Sequence, residues 1–159
     1  MNSVLVVACK VLLVFFALGI LVVQLFILPR LANESLELFP EVGFLYAPLL
    51  YLLEFVTVLA DVVIVCLWML LSRITRGIIF ASDSLRLVNV IVGCFLATAA
   101  VFIVIFCIFQ FGINAGGPSV FLGSLGGAGA SIFAALVLLV MRGLLRTAIQ
   151  QQDYLAEVV

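Results

Sequence analysis

Residues 73–89 read RITRGIIFASDSLRLVN. This is the only long polar interruption in the chain that carries several positive charges, Arg73, Arg76 and Arg86, and hydrophobic runs flank it on both sides. Basic loops are retained on the cytoplasmic side of a bilayer. The stretch therefore sets the orientation of everything around it.

Composition explains why a bilayer is the right frame. The chain has 159 residues, 67% hydrophobic and 9% charged, with mean hydropathy +1.49. Soluble domains average about 45–50% apolar and about 25% charged residues. No water-soluble fold of this length hides so much apolar side chain, so lipid is the solvent for most of it. The length suits a single membrane domain, residues 1–159. Net charge is −1 and no basic tail is present, which argues against direct nucleic-acid binding. There is no histidine, the commonest metal ligand and general acid–base. No nucleophile–base pair or metal constellation can be traced in the sequence, so neither an enzyme nor a cofactor is expected. Cys9, Cys66, Cys94 and Cys107 all fall in apolar runs without a CxxC pair and read as small buried hydrophobes.

A span needs about 20 apolar residues. Four stretches meet that length, approximately 4–28, 44–71, 85–111 and 122–145, followed by a polar tail, 146–159, predicted to continue as helix. The first has no positive cluster before it and exceeds a signal-peptide core of about 7–15 residues, so it reads as a retained helix, ended by Pro29. Ser82 and Asp83 are suited to cap the third helix. Tyr46, Tyr51 and Trp68 sit toward the ends of the second, as in an aromatic belt.

The connections on the other side are poor in positive charge. Residues 30–42 carry Glu34, Glu37 and Glu41 against Arg30 alone, and residues 112–123 are glycine-rich and uncharged. The three carboxylates lack the glycine-containing loop of a calcium site, and a solvated acidic segment is the better reading. The glycines lack the preceding strand and following lysine of a phosphate loop. With Arg73, Arg76 and Arg86 between spans two and three, and Arg142 and Arg146 after span four, both termini are expected in the cytoplasm. The predicted fold is an all-α bundle of four transmembrane helices, because backbone polar groups in lipid must be bonded internally.

Within the spans, the small residues Gly123, Gly127, Ala130 and Ala134 recur at close to helical spacing and predict a close-packing face on helix four. Lys10, Glu54 and Asp61 form the candidate intramembrane polar network. Glu54 and Asp61 are seven residues apart and share one face of helix two. Lys10 enters from the same side as the arginines, and a Lys10–Asp61 ion pair is the expected arrangement; a proton or cation relay through all three is the sharper reading. Gln24 and Gln110, near the outer ends, are expected to hydrogen-bond between helices.

Short pieces spread in order along the chain carry a resemblance. They are Leu28-Pro29-Arg30-Leu31-Ala32, Phe39-Pro40-Glu41-Val42, Trp68 with Leu70 and Leu71, Arg76-Gly77 with Phe80 and Ser82, Val140-Met141-Arg142 with Leu144 and Leu145, and the closing Leu155-Ala156-Glu157-Val158-Val159. In these the chain resembles the bacterial membrane proteins grouped as domain of unknown function 2975, particularly the actinobacterial form. The resemblance implies a four-span protein of the bacterial plasma membrane with no established activity. Some relatives are encoded beside a small helix-turn-helix regulator, which implies a membrane sensor or regulatory partner. It supplies no catalytic residues. The residues themselves favour a non-enzymatic accessory subunit that packs on a larger membrane protein or on itself. The alternatives are a regulator's membrane partner and a small transporter acting as an oligomer.

Overall fold

The computed structural model describes residues 3–30, 33, 43–75, 82–112 and 118–157. Every described element is helical. Helix α1 is Ser3–Val22 and continues through a π-helical turn at Val23–Ile27. Helix α2 is Gly43–Thr75. Helix α3 is Ser82–Cys107, continued by a second π-helical turn at Ile108–Gly112. Helix α4 is Pro118–Glu157. Four segments are long and apolar enough to cross a membrane: Val6–Arg30, Ala47–Arg73, Ser84–Phe111 and Val120–Leu144. They match the four predicted spans to within a few residues.

The first helix does not stop at Pro29; its helical conformation runs on to Arg30. The π turn gives the reason. The Leu28 N–H reaches back five residues to the Val23 carbonyl. This wider turn comes just before Pro29, where the ring would otherwise crowd the carbonyl four residues earlier. Local π adjustment is a known way to keep the backbone bonded around a proline in lipid.

The helices pack as a series. The α3–α4 interface is the most extensive, then α2–α3, then α1–α2. Neighbours run antiparallel. Near one end the Phe106 and Phe121 rings meet edge to face, with centroids 5.5 Å apart. Toward the other, Val88, Val92 and Ala135 form a buried cluster backed by Phe95 and Leu138. Lys10 lies over Trp68, joining the start of α1 to the last third of α2. Lys10, Arg73, Arg86, Arg142 and Arg146 therefore gather at one end of the molecule. Arg76 and the acidic residues Glu34, Glu37 and Glu41 lie outside the described residues.

Helix α3 is the centre. Val88, Val92 and Ala99 face α4, while Ile91, Cys94, Val101 and Ile105 are buried about 100° further round. One third of its span, 33%, is buried, against 22% for α4 and only 6% each for α1 and α2. The molecule is thus a close pair, α3 and α4, with two loosely held helices beside it.

The close pair is made by small residues, but not by the predicted set. Ser124, Ala128, Ser131 and Ala135 are buried on α4. Gly123 and Ala130 are exposed, and Gly127 and Ala134 are half-buried at the margin. The packing face is rotated by one residue because the serines behave as small apolar groups. The Ser124 hydroxyl donates to the Val120 carbonyl at 2.6 Å and the Ser131 hydroxyl to the Gly127 carbonyl at 2.8 Å. Such back-bonding satisfies the hydroxyl within its own helix, so it can be buried without a partner across the interface. Gly127 still has a packing role. A Cβ there would stand 2.8 Å from the Phe102 ring of α3.

Candidate functional site

The polar chemistry of the membrane interior lies along the α1–α2 seam. Gln24 sits inside the π turn of α1 and donates from Nε2 to Asp61 Oδ2 at 3.2 Å. Both side chains are half-buried. In hydrocarbon an unbonded amide or carboxylate costs several kcal/mol, on the order of 2–7 for the amide. Two groups that would each be unfavourable therefore hold the two helices together. A polar amide near the outer end of a span is expected to hydrogen-bond between helices, and for Gln24 this is the bond it makes. Gln110, in the π turn at the end of α3, is exposed.

The expected Lys10–Asp61 ion pair is not formed. The Lys10 ammonium lies 5.4 Å from the centre of the Trp68 ring. Trp68 is seven residues beyond Asp61 on the same face of α2, about 10 Å nearer the basic end. A lysine one turn inside a span keeps its charge near the interface, and the indole face there gives it a cation–π contact. Asp61, deeper, is left to a neutral donor. Glu54 is half-buried, and among the described residues its carboxylate makes no hydrogen bond or ion pair; the Thr57 hydroxyl donates to its backbone carbonyl at 2.8 Å. Lys10, Asp61 and Glu54 therefore do not form a connected chain.

The third feature is a cleft of about 460 Å³ between α1, α2 and α3. Phe16 and Ile20 of α1, Val56 and Leu67 of α2, and Phe95 and Thr98 of α3 line it. Its one hydroxyl, on Thr98, donates to the Cys94 carbonyl at 2.9 Å. Apart from the Cys94 thiol, the remaining walls are hydrocarbon. Cys66 and Cys94 are buried free thiols, as expected, whereas Cys9 and Cys107, also expected to be buried, are exposed on the outer faces of α1 and α3. Nothing in the sequence marks the cleft, because its residues differ in no way from lipid-facing ones.

A multi-pass membrane protein is what the four apolar helices define. Within that class, the family described as "Protein of unknown function (DUF2975)" matches residues 30–159, and the chain belongs to it. The matched segment holds α2 to α4, including Glu54, Asp61 and Trp68, while Lys10 and Gln24 precede it. No curated protein and no solved structure matches this chain.

Proposed function

We propose that this protein is a non-enzymatic accessory subunit of a larger membrane assembly, seated on its partner through the outward face of α1. The observation behind this is the contrast in burial between the halves: 6% of the α1 span is buried, against 33% for α3. Val7, Val11, Val14, Leu18 and Leu21 recur at helical spacing and are all exposed. A helix held by two polar contacts and little packing gains most from a second surface. In this reading both termini face the cytoplasm of a bacterial cell, in its plasma membrane, and the subunit stabilises or tunes its host without chemistry of its own.

The test is extraction of tagged protein from its native membrane in a mild detergent, followed by quantitative mass spectrometry. A stoichiometric membrane partner that is lost when Val11, Val14 and Leu18 are all changed to Ala is the expected result. Wild-type protein that comes alone, or only with further copies of itself, overturns the reading.

One observation favours a second reading. Helix α4 runs thirteen residues past its span, from Leu144 to Glu157, about 20 Å of helix beyond the bilayer. That extension suits docking of a soluble regulator. Deletion of residues 150–159 with no effect on binding of a purified regulator would remove it. Transport through Asp61 has less support, since Asp61 is committed to Gln24.

A further inference from the structure

We propose that the groove between α1 and α2 on the Trp68 side of their seam seats an anionic phospholipid, with its phosphate on Lys10 and the first part of one acyl chain along the groove floor. The groove holds about 180 Å³ and is lined by Leu13, Val14 and Ala17 of α1 and by Ile64, Val65 and Trp68 of α2. No lining side chain carries a charge or a hydroxyl, so the floor suits an alkyl chain. Lys10 precedes Leu13, Val14 and Ala17 by three, four and seven residues, which puts it on the same face of α1 as all three. Its ammonium lies 5.4 Å from the centre of the Trp68 ring, and Trp68 is the groove residue of α2 nearest the basic end. From Lys10 to Ala17 is about 10 Å along the helix. The groove therefore meets a cation at one end and is apolar over the rest of its length, which is the pattern of one headgroup followed by one chain.

The charge decides the occupant. Lys10 has no carboxylate partner among the described residues; its contact is the Trp68 ring. An ammonium resting on a ring keeps its three N–H donors for other acceptors, and phosphate oxygens are strong ones. Trp68 is 39% exposed, and among the described residues its indole N–H bonds no acceptor, so a second donor stands beside the first. Basic residues between helices are a recurrent way to hold anionic headgroups, and tryptophan settles at the headgroup level. A helix from a partner or a second copy fits less well. It would cover the apolar floor but seal the Lys10 ammonium from water, which is costly unless a carboxylate comes with it. Val14 also belongs to the outward face of α1, so the lipid borders the proposed partner surface without depending on it. Isolated protein retains the lipid or not whether or not a partner exists, so the two readings fail separately.

Native mass spectrometry of the purified protein tests it. The protein is exchanged into mild detergent with phosphatidylglycerol or phosphatidylcholine of identical acyl chains, and lipid retention is compared. Wild type is expected to retain one phosphatidylglycerol about fivefold better than phosphatidylcholine. Lys10→Gln should lower that preference below about twofold, and Lys10→Arg should keep it. Arg146→Gln, which removes an exposed charge of the same sign at the same end but from α4, should leave the preference unchanged. Ala17→Phe, which places a ring in the groove, should lower retention of both lipids about threefold. Equal retention by wild type, an unchanged preference in Lys10→Gln, or unchanged retention in Ala17→Phe would overturn the proposal. An equal loss in Arg146→Gln would do so too, by showing that the charge of this end as a whole attracts the lipid. A mass corresponding to a lipid-free dimer as the dominant species is likewise incompatible with it. Should Ala17→Phe fail to fold, the Lys10 and Arg146 variants decide the outcome by themselves.

Discussion

The two halves of this molecule are built from similar amounts of apolar residue and pack quite differently. In α3–α4, small residues on one helix meet aromatic and branched side chains on the other, as Gly127 meets Phe102 and Ala135 meets Val88 and Val92. In α1–α2, Leu, Val and Phe meet their own kind, and a cleft remains. In water both halves would be driven together by the hydrophobic effect. In lipid that drive is absent between helices, because acyl chains are as apolar as leucine. Shape then decides, and only the half with small residues closes. The other half is held by directed contacts, Gln24 to Asp61 and Lys10 to Trp68.

This contrast can be broken most forcefully at Gly127. Gly127→Val should cost about 1–3 kcal/mol, because a Cβ there stands 2.8 Å from the Phe102 ring, which must shift to admit it. Gly126→Val, where a Cβ meets open space, should cost less than about 1 kcal/mol. Reversible unfolding in mixed micelles measures both. Equal losses would mean that close packing is not what holds α3 to α4.

In the other half the effects should be smaller and polar in origin. Asp61→Leu strands the Gln24 amide and should cost about 0.6–1.7 kcal/mol, whereas Asp61→Asn retains an acceptor and should be nearly silent. A double-mutant cycle with Gln24→Leu sharpens the point: the two losses should not add, since they remove one interaction. Additive losses would show that the pair does not couple. Lys10→Met should cost about 0.5–1 kcal/mol through loss of the ring contact. Trp68→Phe, which leaves a weaker aromatic face, should cost less than Lys10→Met.

The smallest effect has the opposite sign. Ser84, in the first turn of α3, is 1% exposed, and its hydroxyl finds no partner among the described residues. A buried unpaired hydroxyl is unfavourable by about 1–3 kcal/mol. Ser84→Ala should therefore leave stability unchanged or raise it slightly in the same micelle assay. A clear loss would show that the hydroxyl is bonded after all.

The four helices were legible because twenty or more apolar residues between polar interruptions leave few alternatives. Which residues face inward was only partly legible. Gly123, Gly127, Ala130 and Ala134 have the expected spacing, yet Ser124, Ala128, Ser131 and Ala135 are the buried set. The signal was present, as serines and alanines at alternating spacings of four and three, but it depends on knowing that a membrane serine can satisfy itself within its own helix. The Lys10–Asp61 expectation followed opposite charge and the reach of the lysine stem toward the middle of helix two. Trp68 lies on the same face and nearer the interface, and the lysine's preference for the interface decided between them. The π turn that turns Gln24 toward Asp61 left no mark in the sequence beyond Pro29.

In the proposed accessory role the loosely packed α1–α2 half, not the closed α3–α4 half, meets a partner. The most direct measurement is photo-crosslinking in intact native membranes. A photoreactive residue is placed in turn at Val14 and Leu18 on α1, and at Phe133 and Val137 on α4, all of which are exposed. One discrete adduct with a different membrane protein is expected from the α1 positions and only lipid adducts from α4. Discrete protein adducts from α4 alone, or lipid adducts from all four positions, would contradict it.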